Sequence, residues 1–139
     1  MKVLIDTNIM LDVILEREPF VEPATDLLAL IEAGKIQGYV AATTITNIFY
    51  IVRKLKGRNV AIHAITRMLQ GFNLCAVSFQ VIQHALVLNL PDFKDGVQLA
   101  CAVLHNLDAV VTRDGNDFRG ADFTVLSVAS LVAQFTPEE

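Results

Sequence analysis

The sequence lacks an excess of positive charge, and it lacks any long hydrophobic run. Eleven Lys and Arg residues stand against fifteen Asp and Glu residues, so the formal net charge is −4. This balance argues against a protein that holds nucleic acid mainly through a large basic face, although a local basic patch can still exist. No stretch reaches the roughly 18 apolar residues of a membrane span, and residues 1–10 lack the sections of a signal peptide. We therefore expect a cytoplasmic protein without a membrane anchor.

Cysteine is scarce, and several motifs that would carry chemistry are missing. Cys75 and Cys101 are far apart and lie in apolar surroundings, whereas a disulfide framework or a zinc site needs more thiols or nearby His at ligand spacing. Both are expected to be buried free thiols. The three His residues also lack ligand spacing, no Ser, His and Asp arrangement suggests a nucleophilic triad, and no phosphate-binding glycine loop is present.

The apolar composition predicts a folded chain built from alternating strands and helices. With 139 residues, 53% of them hydrophobic, the chain suits a single domain over residues 1–139. Short apolar runs predict five strands, at residues 2–5, 38–42, 74–77, 109–112 and 123–126. Apolar residues at helical spacing predict helices at residues 23–33, 44–55, 60–70, 79–88, 93–105 and 128–135.

The strands read as continuous apolar runs rather than as alternating ones, and helices separate them. This pattern is typical of a parallel sheet that is covered on both faces. The predicted fold class is therefore α/β, a three-layer sandwich with a central parallel sheet of about five strands flanked by helices.

An acidic residue ends the first predicted strand, where Asp6-Thr7-Asn8 follows Ile5. Ligand sites in doubly wound sheets lie beyond the carboxyl ends of the strands. A carboxylate at this position costs desolvation energy and adds nothing to core packing, so Asp6 is a candidate site residue. The alternative is that Asp6 only caps the helix that follows.

Two further acidic segments are expected at the same edge. Asp92 is placed as the N-cap of the helix at residues 93–105, and Asp95 lies in its first turn, where the helix dipole stabilises negative charge. Asp95 also begins an otherwise apolar face, which makes it the stronger candidate for a functional role. Asp114 and Asp117 follow the fourth strand, although Asp-Gly is by itself an ordinary turn signal.

This conjunction of acids predicts a metal site. Several carboxylates crowded together repel one another unless cations neutralise them. Oxygen-only ligands suit Mg²⁺ or Mn²⁺. With such ions the natural reaction is hydrolysis of a phosphodiester, because the metal lowers the pKa of bound water and aligns the phosphate.

The basic residues are not spread evenly. Four of them fall at the end of one predicted helix and in the loop after it, namely Arg53, Lys54, Lys56 and Arg58. They could steer a nucleic-acid backbone despite the acidic total, or they could form a solvated helix end favoured by the dipole. Arg113 could contact a substrate phosphate or pair with the neighbouring Asp114.

Three segments of the chain resemble the motifs of the PIN domain, the metal-dependent nuclease fold shared by the VapC-type toxins of bacterial toxin–antitoxin pairs. They are Val3–Asn8, Phe93–Ala100 and Val111–Phe118, of which the first and last are the more specific. The resemblance covers nearly the whole chain. It implies a parallel sheet between helices, a homodimer, Mg²⁺ or Mn²⁺ as cofactor, and cleavage of RNA.

The resemblance also implies roles for individual residues. Asp6, Asp95 and Asp114 correspond to the catalytic and metal-binding acids, and Asp117 is a further candidate. Asn8, Asn47 and Thr112 are expected to orient the site.

One departure from the family pattern concerns the helix after the second strand. The family usually places a Glu there, whereas the matching stretch at residues 43–50 contains Asn47. An amide oxygen can coordinate a metal, but it supplies no charge and cannot act as a base. Asp92 could restore a carboxylate, because it lies beside Asp95 at the same predicted edge.

Three functions are compatible with these residues. The leading one is a metal-dependent ribonuclease, the toxin of a toxin–antitoxin pair, with RNA as substrate and an antitoxin protein as partner. The second is a non-catalytic PIN-like domain that binds RNA or protein and has lost activity with the Glu. The third is a phosphatase resembling the haloacid dehalogenases, in which Asp6 would also follow the first strand. That family has a second Asp where Asn8 stands here, and it needs a Lys that we cannot identify.

Overall fold

The structure is a computed structural model that describes residues 1–135. Its strands are β1 (Lys2–Ile5), β2 (Gln37–Ala41), β3 (Asn73–Cys75), β4 (Ala109–Val111) and β5 (Val125–Leu126). Its α-helices are α1 (Thr7–Ile14), α2 (Val21–Glu32), α3 (Ala42–Lys56), α4 (Arg58–Gly71), α5 (Phe79–Leu88), α6 (Phe93–Leu104) and α7 (Val128–Phe135). A single 3₁₀ turn, Gly115–Phe118, lies between β4 and β5.

The five strands form one parallel sheet in the order β3-β2-β1-β4-β5. Val3 in the central strand pairs with Gly38 on one side and with Ala109 on the other. The chain therefore winds outward from β1 to β3, returns to the centre and winds outward again through β4 and β5. The predicted α/β class and the parallel sheet of five strands are confirmed.

Each face of the sheet carries its own hydrophobic core, which explains why the strands are apolar throughout. Val3 and Ile5 of β1 pack into the core formed with α1, α2, α3, α4 and α7. Leu4 between them packs into the opposite core, formed with α5 and α6. Successive side chains of a strand point to opposite faces, so a sheet covered on both sides needs an apolar residue at every position.

The reversal of strand order places a crevice at the ends of β1 and β4. Asp6 directly follows β1, and its backbone N–H donates to the carbonyl of Val111, the last residue of β4. The N–H of Thr112 in turn donates to the carbonyl of Leu126 at the end of β5. The carboxyl ends of neighbouring parallel strands thus meet at a topological switch point, which is where open α/β sheets bind ligands.

Several boundaries differ from the sequence prediction for identifiable reasons. Helix α2 begins at Val21 rather than at Pro23, because Pro is tolerated in the first turn of a helix. Gly34 follows this helix with a φ of +75°, in keeping with the predicted glycine at its end. The 3₁₀ turn after β4 was not predicted, since its residues also read as a simple turn.

Two expectations about individual features can be compared directly with the fold. Cys75 and Cys101 are both buried free thiols, as predicted. Burial raises the pKa of Cys75 to about 11 and that of Cys101 to about 12, so both remain protonated near neutral pH. Within residues 1–135 no helix is long and apolar enough to cross a membrane.

Candidate metal centre

Asp6 occupies the first position after β1, and its side chain points into the switch-point crevice. The residue is 2% exposed. Its Oδ2 accepts a hydrogen bond from the Thr112 hydroxyl at 2.7 Å, and its Oδ1 accepts one from Gln98 Nε2 at 3.0 Å. The carboxylate makes no capping hydrogen bond to α1. The interpretation of Asp6 as only a helix cap is therefore wrong, because its side-chain hydrogen bonds reach across the sheet edge instead.

Asp95 enters the same crevice from the first turn of α6. Its Oδ1 lies 3.4 Å from the Gln98 Nε2 that also donates to Asp6. Burial, together with the charges of the neighbouring carboxylates of Asp6, Asp92 and Asp117, raises the pKa of Asp95 to about 7. The two acids from distant parts of the chain are therefore close enough to share one amide donor.

Asp92 has the capping role that its position predicts. Its Oδ1 accepts hydrogen bonds from the backbone N–H groups of Lys94 at 2.8 Å and Asp95 at 3.4 Å. These bonds satisfy two donors at the start of α6, which would otherwise lack partners. Asp92 also borders the acidic cleft. Its place near Asp95 is thus as expected, while its compensation for Asn47 stays a prediction.

Asp114 and Asp117 are separated by the 3₁₀ turn. Asp117 lines the cleft, and burial together with the charges of Asp114, Asp6 and Asp92 raises its pKa. Asp114 is exposed at the start of the turn and does not line the cleft. Its backbone N–H donates to the Thr112 hydroxyl at 3.1 Å. Of these two acids, Asp117 is therefore the one that faces the cleft, and the role of each in a metal site stays a prediction.

The acidic cleft has a volume of about 410 Å³ and is bordered by α1, α3, α6 and the 3₁₀ turn. Asn8 and Asn47 both line it, so the amide that replaces the expected Glu faces the same space as the acids. Tyr50, one turn further along α3, also lines the cleft and is 64% exposed. The predicted residues from four separate segments are therefore brought together at one place.

Arg113 does not pair with its neighbour Asp114. Its Nε lies 2.9 Å from Oδ2 of Asp12 in α1, and its guanidinium carbon lies 4.0 Å from the ring centroid of Phe20. Arg17 approaches the other oxygen of Asp12 at 3.8 Å. Asp12 is 1% exposed, and this burial raises its pKa against the opposing effect of the two arginines. The predicted contact of Arg113 with a substrate phosphate stays a prediction.

The predicted basic cluster lies at the C-terminal end of α3, just beyond Tyr50 and Ile51, which line the cleft. Its four members are all exposed, and they are Arg53, Lys54, Lys56 and Arg58. Three of them lie in the last turn of α3, where cations are favoured by the helix dipole. Gly57 separates α3 from α4 with a φ of +92°, a conformation that suits glycine. Both the substrate-binding and the solvated-end interpretations remain compatible with this placement.

Two polar residues inside the structure were missed by the sequence analysis. Gln98 hydrogen bonds both Asp6 and Asp95, and it lies three residues after Asp95 on the same helix face. That spacing was the available signal. Asp12 stands among the apolar residues of α1 and is buried with Arg113, a partner about one hundred residues away that no local pattern indicates.

The donor set fits a hard divalent cation in its chemistry. The cleft offers carboxylates and an amide oxygen, which are ligands that Mg²⁺ and Mn²⁺ prefer. Among residues 1–135 no three acidic, His or Cys side chains form a complete ligand set. Mg²⁺ commonly binds through one or two carboxylates and several waters, so two shared acids are sufficient.

Comparison with known proteins identifies the family. The sequence matches the family model of the PIN domain over residues 2–116. This chain belongs to the PIN domain family. No curated protein matches it significantly. The match spans the segments that carry Asp6, Asp95 and Thr112, and membership replaces the alternative that resembled the haloacid dehalogenases.

Solved structures of toxin–antitoxin systems share the fold. VapBC2 from Rickettsia felis, bound to a promoter DNA fragment, has a TM-score of 0.75 at 16% identity, over 91% of this chain and 98% of that one. A toxin–antitoxin complex from Klebsiella pneumoniae has a TM-score of 0.68 at 25% identity, over 91% and 97%. VapC20 from Mycobacterium tuberculosis, a sarcin-ricin loop cleaving toxin, has a TM-score of 0.70 at 14% identity, over 88% and 96%. The PIN fold of this chain is thus shared along nearly the whole of each protein.

Proposed function

We propose that this PIN domain is a metal-dependent endoribonuclease and the toxin of a toxin–antitoxin pair. The observation that carries the proposal is the pair of carboxylates, Asp6 and Asp95, joined by one amide at the switch point of the sheet. Toxin–antitoxin complexes with the same fold support the assignment to a toxin and an antitoxin partner. A homodimer is part of the same proposal, by likeness to the family.

The residues of the cleft divide into ligands and orienting groups. Asp6 and Asp95 would hold Mg²⁺ or Mn²⁺ together with water molecules, and Asp117 and Asn47 would be further oxygen donors that line the same cleft. A bound ion of this kind lowers the pKa of water and neutralises the charge of a scissile phosphate. Thr112 keeps Asp6 in one orientation through its 2.7 Å hydrogen bond.

The route of the RNA follows helix α3. Asn47 lies in the cleft, and Lys54 lies seven residues further on the same stripe of the helix, about 10 Å away by the rise of an α-helix. A basic side chain at that distance is suited to the phosphates of a strand that leaves the cleft. Tyr50 lies between the two and exposes an aromatic ring, on which an unpaired base can stack. A single-stranded segment of RNA is the substrate that fits this surface.

The decisive experiment is RNA cleavage with and without Mn²⁺. The wild-type protein is expected to cut RNA internally in Mn²⁺ and to stop when EDTA is added. Asp6→Asn and Asp95→Asn keep the size of each side chain but remove its charge, so each is expected to lose at least about a hundredfold in cleavage rate. Undiminished cleavage by both variants would mean that a contaminant or another site is responsible.

One observation favours a second candidate function, a binding domain without turnover. Asn47 lines the cleft where the family usually has Glu, so the site contains one negative charge fewer than the family pattern. This candidate predicts RNA binding without metal-dependent cleavage.

Metal titration of Asn47→Glu and Asp92→Ala distinguishes the two candidates. If Asp92 compensates for Asn47, Asp92→Ala weakens Mn²⁺ binding and Asn47→Glu strengthens it, because an acid is removed or added at the cleft. Unchanged affinity in both variants would remove the compensation idea. A gain of cleavage only in Asn47→Glu would favour the binding domain for the natural sequence.

A further inference from the structure

Gln98 is a buried amide at the centre of the acidic cleft. It lies in α6 one turn after Asp95, and it is 3% exposed. A polar side chain at this depth is costly unless its hydrogen bonds are satisfied. Its hydrogen bonds connect α6 to α1, to α3 and to the end of β1. The oxygen and the nitrogen of the amide have different partners.

The orientation of the amide follows from its partners. The backbone N–H of Thr7 donates to Gln98 Oε1 at 3.1 Å, and the hydroxyls of Thr7 and Thr44 lie 3.4 and 3.5 Å from the same oxygen. A rotated amide would place its NH₂ against the Thr7 N–H, so two donors would face each other. The backbone donor therefore directs Oε1 toward α1 and leaves Nε2 for the carboxylates.

The other end of the amide meets the two acids. Nε2 donates to Oδ1 of Asp6 at 3.0 Å and approaches Oδ1 of Asp95 at 3.4 Å. Thr112 donates to the remaining oxygen of Asp6. Each of these bonds restricts the rotation of the carboxylate that accepts it. An NH₂ group has two protons, which is the number needed to serve both acids.

We propose that Gln98 is the positioning residue of this centre, which holds the carboxylates of Asp6 and Asp95 in a fixed mutual orientation for the divalent cation. The inference rests on the proposed function, because it assigns Gln98 a role toward the same metal. It predicts that the amide hydrogens, rather than the bulk of the side chain, determine metal affinity. A purely structural Gln98 would instead anchor α1 through Thr7 and would affect stability alone.

The test compares two identical substitutions in helices. Gln98→Met keeps a long unbranched side chain and removes both donor protons, while Gln83→Met makes the same change at an exposed position of α5. Mn²⁺ affinity is measured from the electron paramagnetic resonance signal of the free ion. Gln98→Met is expected to bind Mn²⁺ at least about tenfold more weakly, whereas Gln83→Met binds as wild type.

A second variant separates the two ends of the amide. Thr44→Val removes a buried hydroxyl near Oε1 and leaves the donors to both acids in place. Its Mn²⁺ affinity is expected to match that of the wild type, while its melting temperature falls. The proposal is overturned if Thr44→Val weakens Mn²⁺ binding as much as Gln98→Met, since the integrity of the network would then be the cause.

A measurement on the natural chain covers the case in which Gln98→Met does not fold. The side-chain NH₂ of Gln98 is followed by ¹⁵N nuclear magnetic resonance during a Mg²⁺ titration. Its resonances are expected to shift and to saturate together with the backbone signal of Asp6. Resonances that do not move while Asp6 responds would overturn the positioning role.

The outcomes also separate this inference from the proposed function. If the wild-type protein binds neither Mn²⁺ nor Mg²⁺, both fail. If it binds the ions, and folded Gln98→Met binds them with the same affinity, the positioning role fails and the proposed nuclease stands. Cleavage kinetics add an independent readout, because a positioning residue lowers kcat while leaving KM for RNA nearly unchanged.

Discussion

The ion pair between the buried Asp12 and the partly exposed Arg113 allows a quantitative prediction about stability. Arg113→Met removes the guanidinium 2.9 Å from a carboxylate that is 1% exposed. Removing one partner of a fully buried pair costs about 3–5 kcal/mol. The Arg113 side chain is itself 30% exposed and Arg17 stays 3.8 Å away, so a free-energy loss of about 2–3 kcal/mol is expected.

The assay is urea denaturation followed by far-ultraviolet circular dichroism at pH 7. A loss of this size corresponds to a melting temperature lower by about 6–10 °C in a chain of this length. Arg119→Met is the matched control, because Arg119 lies in the same loop and its side chain donates to the exposed Asn116. The control is expected to change the free energy of unfolding by less than about 0.5 kcal/mol.

The double variant tests the physical cause. Adding Asp12→Asn to Arg113→Met removes the buried charge, so it should recover at least about 1 kcal/mol of the loss. If the two substitutions acted independently, their losses in free energy of unfolding would add. The reasoning is refuted if Arg113→Met has the same free energy of unfolding as the control. It is also refuted if adding Asp12→Asn to Arg113→Met lowers the free energy of unfolding by as much as Asp12→Asn does in the wild-type protein.

The pH dependence of Arg113→Met follows from the same carboxylate. Burial raises the pKa of Asp12 above its usual 3.8, and loss of Arg113 raises this pKa further. The folded variant then binds the proton more tightly than the unfolded chain. The free-energy deficit of Arg113→Met against wild type should therefore shrink as the pH falls toward 3.8. It should return as the pH rises through the pKa of Asp12 in the folded variant. The double variant lacks this carboxyl, so its deficit should not show the recovery.

Two further predictions concern the cleft and the sheet. Asp117→Asn is expected to weaken Mn²⁺ binding by at least about tenfold in calorimetric titration, because Asp117 lines the cleft. Asp114→Asn is expected to have little effect on Mn²⁺ binding. The reverse order of the two affinities would show that the loop is arranged differently. Gly38→Ala would place a Cβ 2.9 Å from the ring of Phe72, so the free energy of unfolding in urea should fall by about 1–3 kcal/mol. Gly71→Ala would place a Cβ with no atom within 4 Å, so this control variant should be at least as stable as wild type.

Much of the fold follows from local patterns in the chain. The apolar run at Val3–Ile5 and the acid directly after it are sufficient to predict a buried strand with a polar group at its end. Helix α5 was predicted with both of its boundaries, since Ser78 accepts a hydrogen bond from Val81 as its N-cap and Asn89 ends it in the left-handed conformation. Such signals are readable because their physical cause lies within a few residues.

The candidate site was predictable only in part, because its residues meet through tertiary contacts. The acids Asp6, Asp92 and Asp95 could be selected by their positions at element ends. The choice between Asp114 and Asp117 could not be made, since it depends on how the 3₁₀ turn directs each side chain. Gln98 was missed for a related reason: its spacing from Asp95 places both on one helix face, but its contact with Asp6 forms only when the chain folds.

The sequence by itself determined which segments become strands and helices, and it determined that acidic residues end or begin several of them. Local periodicity and capping preferences are properties of neighbouring residues, so they are present before the chain folds. Only the tertiary structure decided that Arg113 pairs with Asp12 and that one amide serves both Asp6 and Asp95. The contacts of Arg113 with Asp12 and of Gln98 with Asp6 join residues about one hundred positions apart, and the order of strands in the sheet makes them neighbours.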